Sequence, residues 1–367
     1  MTSPFANIRR FLALSLAFGI WTASAQSQVL VVDPADPAAF DQIQDAVDAA
    51  APGDIIKVHA GTYGRVVIAT PGLTLEEADV SSDPVIEVIT PFMFPPPPGG
   101  LGLDIQADDV TVRGLDVHVF PHPFFLDGTG IRIQADGVTV RDCHVLIDRG
   151  TGVDIQGDGV IVRDCEVRKT GGLTTGFSVA GDGNTLSGNA AFDHWINYSI
   201  STTDSMFSNN LAGAVPGNSF RGFLESGGSG NSFVANVATD MIGFEIANSS
   251  GTTLTANQVV RSLSSGFYVN GSDGLSCTGN LATDCANAGF RLDGCTNSRF
   301  AGDRGEDNTN NGFDLIGLGN TGNLFTGIVL RENGGYAVWV EPTSTNDNEF
   351  VGVVSVNNGL GTSNVEL

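Results

Sequence analysis

The sequence predicts an all-β solenoid, a protein whose short units stack along one axis. From about residue 102 the chain repeats itself every 21 to 28 residues, and units of this size bury their apolar faces only against their neighbours. Each unit is predicted to contain two strands joined by a turn, because apolar and polar residues alternate in both segments, which indicates strands with one buried face. The clearest units start 23 residues apart, at Gly243, Gly266, Gly289, Gly312 and Gly335.

The N-terminus is typical of a secretory signal. Arg9 and Arg10 form a basic start, an apolar run covers residues 11–20, and Ala23-Ser24-Ala25 is a small-residue cleavage site. The apolar run is too short to span a membrane comfortably. We therefore expect residues 1–25 to be a signal peptide cleaved after Ala25, and the mature protein to be secreted or periplasmic.

Residues 26–54 are expected to form a lead segment with one helix. Over residues 36–51 the side chains of Phe40, Ile43 and Val47 fall on one helical face, and the Pro-Gly pair that follows ends the pattern. The solenoid itself then occupies residues 55–367, as about 12–13 turns.

The stretch FDQIQDAVDAAAPGDIIKVHAGTY, from Phe40 to Tyr63, resembles the opening segment of pectate-lyase-like right-handed parallel β-helix proteins. In that superfamily the helix covers one open end of the solenoid. Together with the repeats, the resemblance covers nearly all of the mature chain. It implies a right-handed single-stranded parallel β-helix with an N-terminal capping α-helix, and it identifies a fold rather than one enzyme.

Aligning the units places a polar column at one interior corner. Buried amides stacked in this way can hydrogen-bond along the stack and to the corner backbone, and such ladders are typical of right-handed β-helices. Two cysteines in the column would lie one turn apart, about 5 Å, and both a disulfide and a pair of buried thiols remain open. The column is Leu115, Cys143, Cys165, Asn189, Asn210, Asn236, Asn257, Asn280 and Asp303.

The charge balance restricts the partners. Acidic residues number 41 against 17 basic ones, for a formal net charge of −24. Nucleic-acid binding needs the opposite sign, so we expect no nucleic-acid partner. A polyanionic polysaccharide would also be repelled unless a cation or a local basic patch intervenes. No later segment is long and apolar enough for a membrane helix.

A candidate catalytic site lies over the early turns. The alignment puts Asp116, His144 and Glu166 in one outward column, with Arg168 in the next. Carboxylates around a histidine can tune its pKa for acid–base work or attract a cation. The alternative is a solvated, charge-paired sheet face, because ion-pair networks often imitate sites.

Candidate substrate-binding residues flank this column. Arg141 and Arg163 form a positive strip suited to a sugar carboxylate. Long aromatic loops at the same edge supply Phe125, His194 and Trp195, which could stack on sugar rings. The alternative is that the loop aromatics fold back over the first turns.

A second outward column runs along the first strand of each unit. Its charges alternate up the stack, so we interpret it as an ion-pair ladder that fixes strand register. Its members are Asp104, Arg132, Asp154, Ser178, Glu245, Tyr268, Arg291 and Asp314.

These observations predict a protein that acts on or binds polysaccharide, lyase- or hydrolase-like, with a groove over the early turns. For a lyase, the resemblance implies an arginine or lysine beside a calcium cluster of acidic residues, so Ca²⁺ is the one cofactor it suggests. Complete polygalacturonase or alginate-epimerase motifs are missing, and only the fragments Phe120-Pro-His-Pro123 and Asp193-His194 occur. The alternative is a non-catalytic surface, adhesion or glycan-binding solenoid.

Overall fold

A computed structural model describes residues 27–89, 100–120, 127–214, 221–342 and 347–364. This part of the chain forms three long parallel sheets, A, B and C, with 14, 13 and 13 strands. Each turn visits sheet C, then A, then B. The number of turns therefore agrees with the prediction from the repeat. The predicted signal peptide and Phe125 lie outside the described residues.

Strands are numbered in chain order. Sheet A contains β1 (Val29–Val32), β2 (Ile55–Val58), β5 (Thr74–Glu77), β8 (Thr111–Arg113), β11 (Thr139–Arg141), β14 (Ile161–Arg163), β17 (Thr185–Ser187), β20 (Met206–Ser208), β23 (Ser232–Val234), β26 (Thr253–Thr255), β29 (Ser276–Thr278), β32 (Arg299–Ala301), β35 (Leu324–Thr326) and β38 (Glu349–Val351). Sheet B contains β3 (Gly61–Tyr63), β6 (Pro84–Ile89), β9 (Asp116–Phe120), β12 (His144–Ile147), β15 (Glu166–Lys169), β18 (Ala190–Phe192), β21 (Leu211–Gly213), β24 (Val237–Thr239), β27 (Gln258–Val260), β30 (Leu281–Thr283), β33 (Arg304–Glu306), β36 (Val329–Arg331) and β39 (Val354–Val356). Sheet C contains β4 (Val66–Ile68), β7 (Leu101–Ile105), β10 (Gly128–Ile133), β13 (Gly150–Ile155), β16 (Thr174–Val179), β19 (Ile196–Ile200), β22 (Arg221–Ser226), β25 (Ile242–Ala247), β28 (Phe267–Asn270), β31 (Phe290–Asp293), β34 (Phe313–Ile316), β37 (Tyr336–Val340) and β40 (Gly361–Ser363).

The helix is shorter than the sequence pattern suggests. It spans Ile43–Ala49 as α1, buries Ile43 and Val47, and packs against β1, β2 and β4. The preceding residues form turns instead, because the side chains of Asp33 and Asp36 accept backbone hydrogen bonds of 2.9 Å from the second residue after each. The role of α1 as a cap stays a prediction. In the described part of the chain, no helix has the length and apolarity that crossing a membrane requires.

In the structure, the segment predicted as the second strand of each unit forms two short strands, and these belong to different sheets. The chain bends between sheets A and B at a residue with positive φ, such as Asp142 at 55° or Asp164 at 54°. The residue after the bend points inward, and it belongs to the predicted polar column. Three sheets per turn therefore replace the two strands per unit inferred from the sequence.

The predicted ladder forms at this bend. The side-chain oxygen of Asn210 accepts hydrogen bonds from both the backbone N–H and the amide nitrogen of Asn189, at 3.0 and 3.1 Å. The pattern repeats turn by turn until Asp303 accepts from Asn280 at 2.8 Å. Cys143 and Cys165 are buried free thiols, which resolves the alternative left open by the sequence.

The core changes along the solenoid. Early turns are filled by valine and isoleucine, whereas the later turns stack aromatic rings with centroids 4.4 to 5.1 Å apart. The glycine before each phenylalanine lies where the next turn comes close: a Cβ on Gly243 would lie 2.3 Å from the Gly266 carbonyl oxygen. The Gly-Phe repeat is therefore a packing requirement of the core.

Candidate functional site

The sequence-predicted catalytic residues lie together on the outer face of sheet B. His144 is in register with Asp116 on one side and Glu166 on the other. The His144 Nδ1 atom is 3.0 Å from the Asp116 carboxylate, and the His144 side chain is 63% exposed. The predicted column therefore exists, on an open surface.

Glu166 takes a different partner. Its carboxylate pairs with Arg168 two residues along the same strand, and the Arg168 guanidinium lies 4.5 Å from the centroid of the Phe192 ring. The four predicted residues thus form two separate pairs, Asp116 with His144 and Glu166 with Arg168. Exposed pairs of this kind typically contribute about 0–1 kcal/mol to stability.

The predicted arginine strip lies on another sheet. Arg141 and Arg163 are in register at the ends of β11 and β14 in sheet A, across the left-handed bend from His144. Arg141 lies 3.4 Å from Asp142 at this bend. The strip is therefore part of the sheet A surface, and its role in binding substrate stays a prediction.

His194 is a correction to the sequence analysis. It was expected on an exposed wall, but its side chain is fully buried. Nδ1 lies 2.8 Å from the Thr174 hydroxyl and Nε2 lies 3.2 Å from the Val167 carbonyl oxygen. Burial lowers the pKa of His194 to about 4. The preceding residue, Asp193, has φ 66°, and the residue after such a bend points inward, as the ladder column already indicates.

Trp195 is exposed, on a different face from His144. Its side chain is 38% exposed just before β19 of sheet C. There it lines a shallow pocket of about 230 Å³ with Asp127, Gly150, Thr151, Leu173, Thr174 and Thr175. The structure therefore does not bring Trp195 and the His144 column onto one surface.

A pocket that the sequence did not indicate lies on the outer face of sheet C in the late turns. This late pocket, of about 340 Å³, is lined by Arg291, Asn311, Asp314, Ile316, Trp339 and Glu341. Strand register places Arg291, Asp314 and Trp339 side by side on β31, β34 and β37, with Tyr268 one turn before them. Three of these residues belong to the column interpreted as an ion-pair ladder.

The carboxyl of Asp314 is the most deeply buried titratable group in the late pocket. Only 6% of Asp314 is exposed, and the Asn311 side chain donates a 2.6 Å hydrogen bond to it. Burial raises the pKa of Asp314, while the Asn311 hydrogen bond and the charge of Arg291 oppose part of the rise. A carboxyl that keeps its proton to higher pH can serve as a hydrogen-bond donor or a general acid.

The other polar groups of the late pocket are held by backbone contacts. The Asn311 side-chain oxygen accepts a 2.6 Å hydrogen bond from the Tyr336 backbone N–H, which fixes the amide that holds Asp314. The Glu341 carboxylate accepts a 2.5 Å hydrogen bond from the Gly317 N–H. The late pocket therefore presents fixed polar groups around a half-buried indole, that of Trp339.

The ladder interpretation holds for Asp104 and Arg132 but not for Arg291 and Asp314. Arg132 donates hydrogen bonds of 3.0 and 2.8 Å to the buried Asp104 carboxylate. Arg291 and Asp314 are neighbours in register, yet no ion pair within 4.0 Å joins them. As for metals, the described ranges contain no group of three or more His, Cys, Asp or Glu side chains arranged to hold an ion.

The comparisons with known proteins agree with this architecture. Residues 221–366 match the family model described as a right handed beta helix region. This confirms the predicted right-handed parallel β-helix, and the solved structures below confirm the pectate-lyase-like fold. No curated protein matches the sequence.

Among solved structures, the A-module of a mannuronan C-5 epimerase from Azotobacter vinelandii is 19% identical, with a TM-score of 0.66 over 85% of this chain and 94% of that one. A pectate lyase is 17% identical, with a TM-score of 0.55 over 72% and 80%. The catalytic unit of an α-1,3-glucanase from Streptomyces thermodiastaticus is 15% identical, with a TM-score of 0.54 over 88% and 65%. At these identities the similarity shows the fold alone.

Proposed function

We propose that the protein acts on a carbohydrate polymer, which it holds in the late pocket on the outer face of sheet C. One observation carries the proposal: a nearly buried carboxyl, Asp314, lies beside a guanidinium and an indole around a single cavity. Binding sites commonly combine an apolar surface with a few fixed polar groups, and titratable groups with perturbed pKa values concentrate in them.

The late pocket suits a sugar ring. Trp339 offers a flat apolar surface with a polar edge, which can cover one face of a pyranose. Arg291, Asn311 and Glu341 lie around it and can hydrogen-bond hydroxyl groups. Because the sheet runs on in both directions, a polymer could extend along the column from the ring held at Trp339.

The same arrangement supplies an acid for bond cleavage. Burial raises the pKa of Asp314, so this carboxyl holds its proton to higher pH than an exposed aspartate does, and it could donate that proton to a glycosidic oxygen as the bond breaks. Glu341, on the following turn, is a second carboxylate at the same cavity, and carboxyl pairs of this kind carry glycoside hydrolysis in many enzymes. The proposed activity is therefore hydrolase-like.

The His144 column on sheet B remains a second location for the same function. Its support is the hydrogen bond between His144 and Asp116 and the nearby Phe192 ring under Arg168. These groups are more exposed than Asp314, and they form pairs with one another. We therefore rank the His144 column below the late pocket as the proposed site.

The structural neighbours support the class of substrate and not the reaction. The epimerase, the pectate lyase and the glucanase are all named for polysaccharides. The chemistry differs among the three, so the fold leaves the reaction open. We also propose that the protein is exported, on the strength of residues 1–25, which have the pattern of a secretory signal.

The test is a polysaccharide panel with the mature chain, followed by new reducing ends and by absorbance of unsaturated uronates, with and without calcium. Binding is followed in parallel by affinity electrophoresis. We expect Asp314→Asn to abolish product formation while the polymer still binds, and His144→Ala to keep both.

Each other outcome has a distinct meaning. Binding without product on every polymer would make the protein a glycan-binding solenoid, the non-catalytic alternative. Loss of product with His144→Ala but not with Asp314→Asn would move the site to sheet B. Absence of any binding would refute the proposed function.

A further inference from the structure

The charges around the late pocket carry information about the polymer. From residue 221 to the end the chain contains no lysine, so every cation there is an arginine. Two arginines are engaged in close ion pairs on the body of the solenoid. Arg221 lies 2.5 Å from Glu245, and Arg261 lies 2.7 Å from Asp240.

Glu306 forms ion pairs with two further arginines. Its carboxylate lies 2.5 Å from Arg304 and 2.6 Å from Arg331, and all three residues are in sheet B. Arg299 is in sheet A, on β32. Among the arginines of these turns, Arg291 is therefore the one that lines the late pocket.

Arg291 faces more than one carboxyl. Asp314 and Glu341 line the late pocket with it, and Asp293 is in register with Ile316, which lines the cavity as well. The single cation of Arg291 is matched by the Glu341 carboxylate, with Asp293 nearby, and Asp314 adds a further negative charge only where the pH exceeds its raised pKa. A sugar carboxylate that entered this pocket would meet like charge, which works against binding.

We infer that the polymer held in the late pocket is built from uncharged sugars and not from uronates. The inference rests on the proposed function and specifies its substrate class. Hydroxyl groups suit the lining, because they can donate to the Glu341 carboxylate and accept from Arg291 and Asn311. An uncharged ring also meets no electrostatic penalty at Asp314.

The arginines on sheet A support the same inference. A positive strip does exist in this chain, at Arg113, Arg141 and Arg163, which are in register on β8, β11 and β14. It lies on a different sheet and in the early turns. The basic residues that a uronate polymer would need are thus present, but away from the late pocket.

The experiment compares matched polymers that differ only in the carboxyl group, namely β-1,4-mannan with β-1,4-mannuronan and an α-1,4-galactan with polygalacturonate. Affinity electrophoresis with the mature full chain measures each dissociation constant. We expect the neutral member of a pair to bind at least about tenfold more tightly, a difference of about 1.4 kcal/mol. Chitosan, a cationic polymer, is included as a third charge class.

Variants test whether the polymer binds in the late pocket. Trp339→Ala should weaken binding of the neutral polymer about tenfold or more, whereas Leu224→Ala, in the same outward column of sheet C but five turns from Trp339, should not. The double variant Asp314→Asn/Glu341→Gln removes both carboxyl groups from the lining of the late pocket. It should narrow the preference for the neutral polymer over the uronate.

The possible results distinguish a failure of the inference about uncharged sugars from a failure of the proposed function. Tighter binding of uronates or of chitosan that is lost in Trp339→Ala would overturn the inference and keep the proposed function. Glycan binding that Trp339→Ala leaves intact would refute the late pocket itself. A neutral preference lost in Trp339→Ala supports both.

Discussion

The outer face of sheet B in the early turns and the outer face of sheet C in the late turns carry similar residue types in different physical settings. On sheet B, Asp116 and His144 form one exposed hydrogen-bonded pair, and Glu166 and Arg168 form an exposed ion pair. On sheet C, Asp314 is nearly buried, is held by an amide and lies beside Arg291 without pairing with it. The chemistry available to a carboxyl therefore differs between the two faces.

Burial decides the difference. An exposed carboxylate paired with a cation is already satisfied, and water screens whatever it could do to a substrate. A buried carboxyl with a raised pKa keeps a proton that it can give up, and its environment has little water. We therefore propose the late pocket ahead of the early column, although the early column looks more like an active site in the sequence.

The largest expected effect is that of Asp314→Asn on turnover. Loss of a general acid typically lowers the rate about 10²- to 10⁴-fold. Because the pKa of Asp314 is raised by burial, activity should fall as the pH rises through a value above the ordinary range of aspartate. A pH profile of kcat/KM measures this limb, and a profile without it would place the acid elsewhere.

The same effect of burial applies to Asp303, a carboxyl in the interior of the solenoid. It ends the amide ladder with one carboxylate oxygen bonded to Asn280 and the other without a partner among the described residues. Burial raises the pKa of Asp303 to about 7. In the unfolded chain the group ionises near pH 4, so the native state loses stability as the pH rises from about 4 to 7, by at most about 4 kcal/mol.

Asp303→Asn should remove this penalty. The new amide nitrogen could donate to the Cys277 carbonyl, which is in register with the Leu254 carbonyl that the Asn280 amide nitrogen bonds at 2.9 Å. Thermal unfolding at pH 8 should then occur at a higher temperature than in the unaltered chain, with little change at pH 4. An equal shift at both pH values would contradict the ionisation argument.

His194 gives the opposite dependence on pH. Its pKa falls to about 4 through burial, below the ordinary value near 6.5. Between pH 6.5 and 4 the unfolded chain binds a proton that the native state does not, so stability is lost as the pH falls, by at most about 3 kcal/mol. His194→Gln cannot titrate and should flatten this part of the stability profile without changing glycan binding. Weaker glycan binding would restore the role that the sequence suggested.

The repeat, the strand alternation and the polar ladder are readable in the sequence because each is a periodic pattern with one physical cause. The ladder is the clearest case, since a buried amide at Asn189 or Asn236 needs a partner one turn away and the same residue type supplies it. The start of α1 was not readable, because Asp33 and Asp36 favour turns over a helix. The periodic pattern also concealed a third strand per turn.

The late pocket could not be found in this way, because burial of an outward position depends on residues from other turns. Asp314 alternates like any exposed residue of its strand. It is covered because Asn311 precedes it and Trp339 follows on the next turn, 25 residues later. His194, in contrast, was predictable in principle, because it follows a bend of the kind that directs the next side chain inward.

The smallest expected effect belongs to His144→Ala. The side chain is largely exposed and its polar partner among the described residues is Asp116, so the change should alter stability by less than about 1 kcal/mol and turnover by less than about twofold. Arg168→Ala is a matched change in the second exposed pair of the same face and should be equally mild. Thermal unfolding and turnover of both variants measure this. A loss of turnover with His144→Ala comparable to that of Asp314→Asn would reverse the ranking of the two faces. It would mean that catalysis depends on an exposed, paired histidine and not on a buried carboxyl.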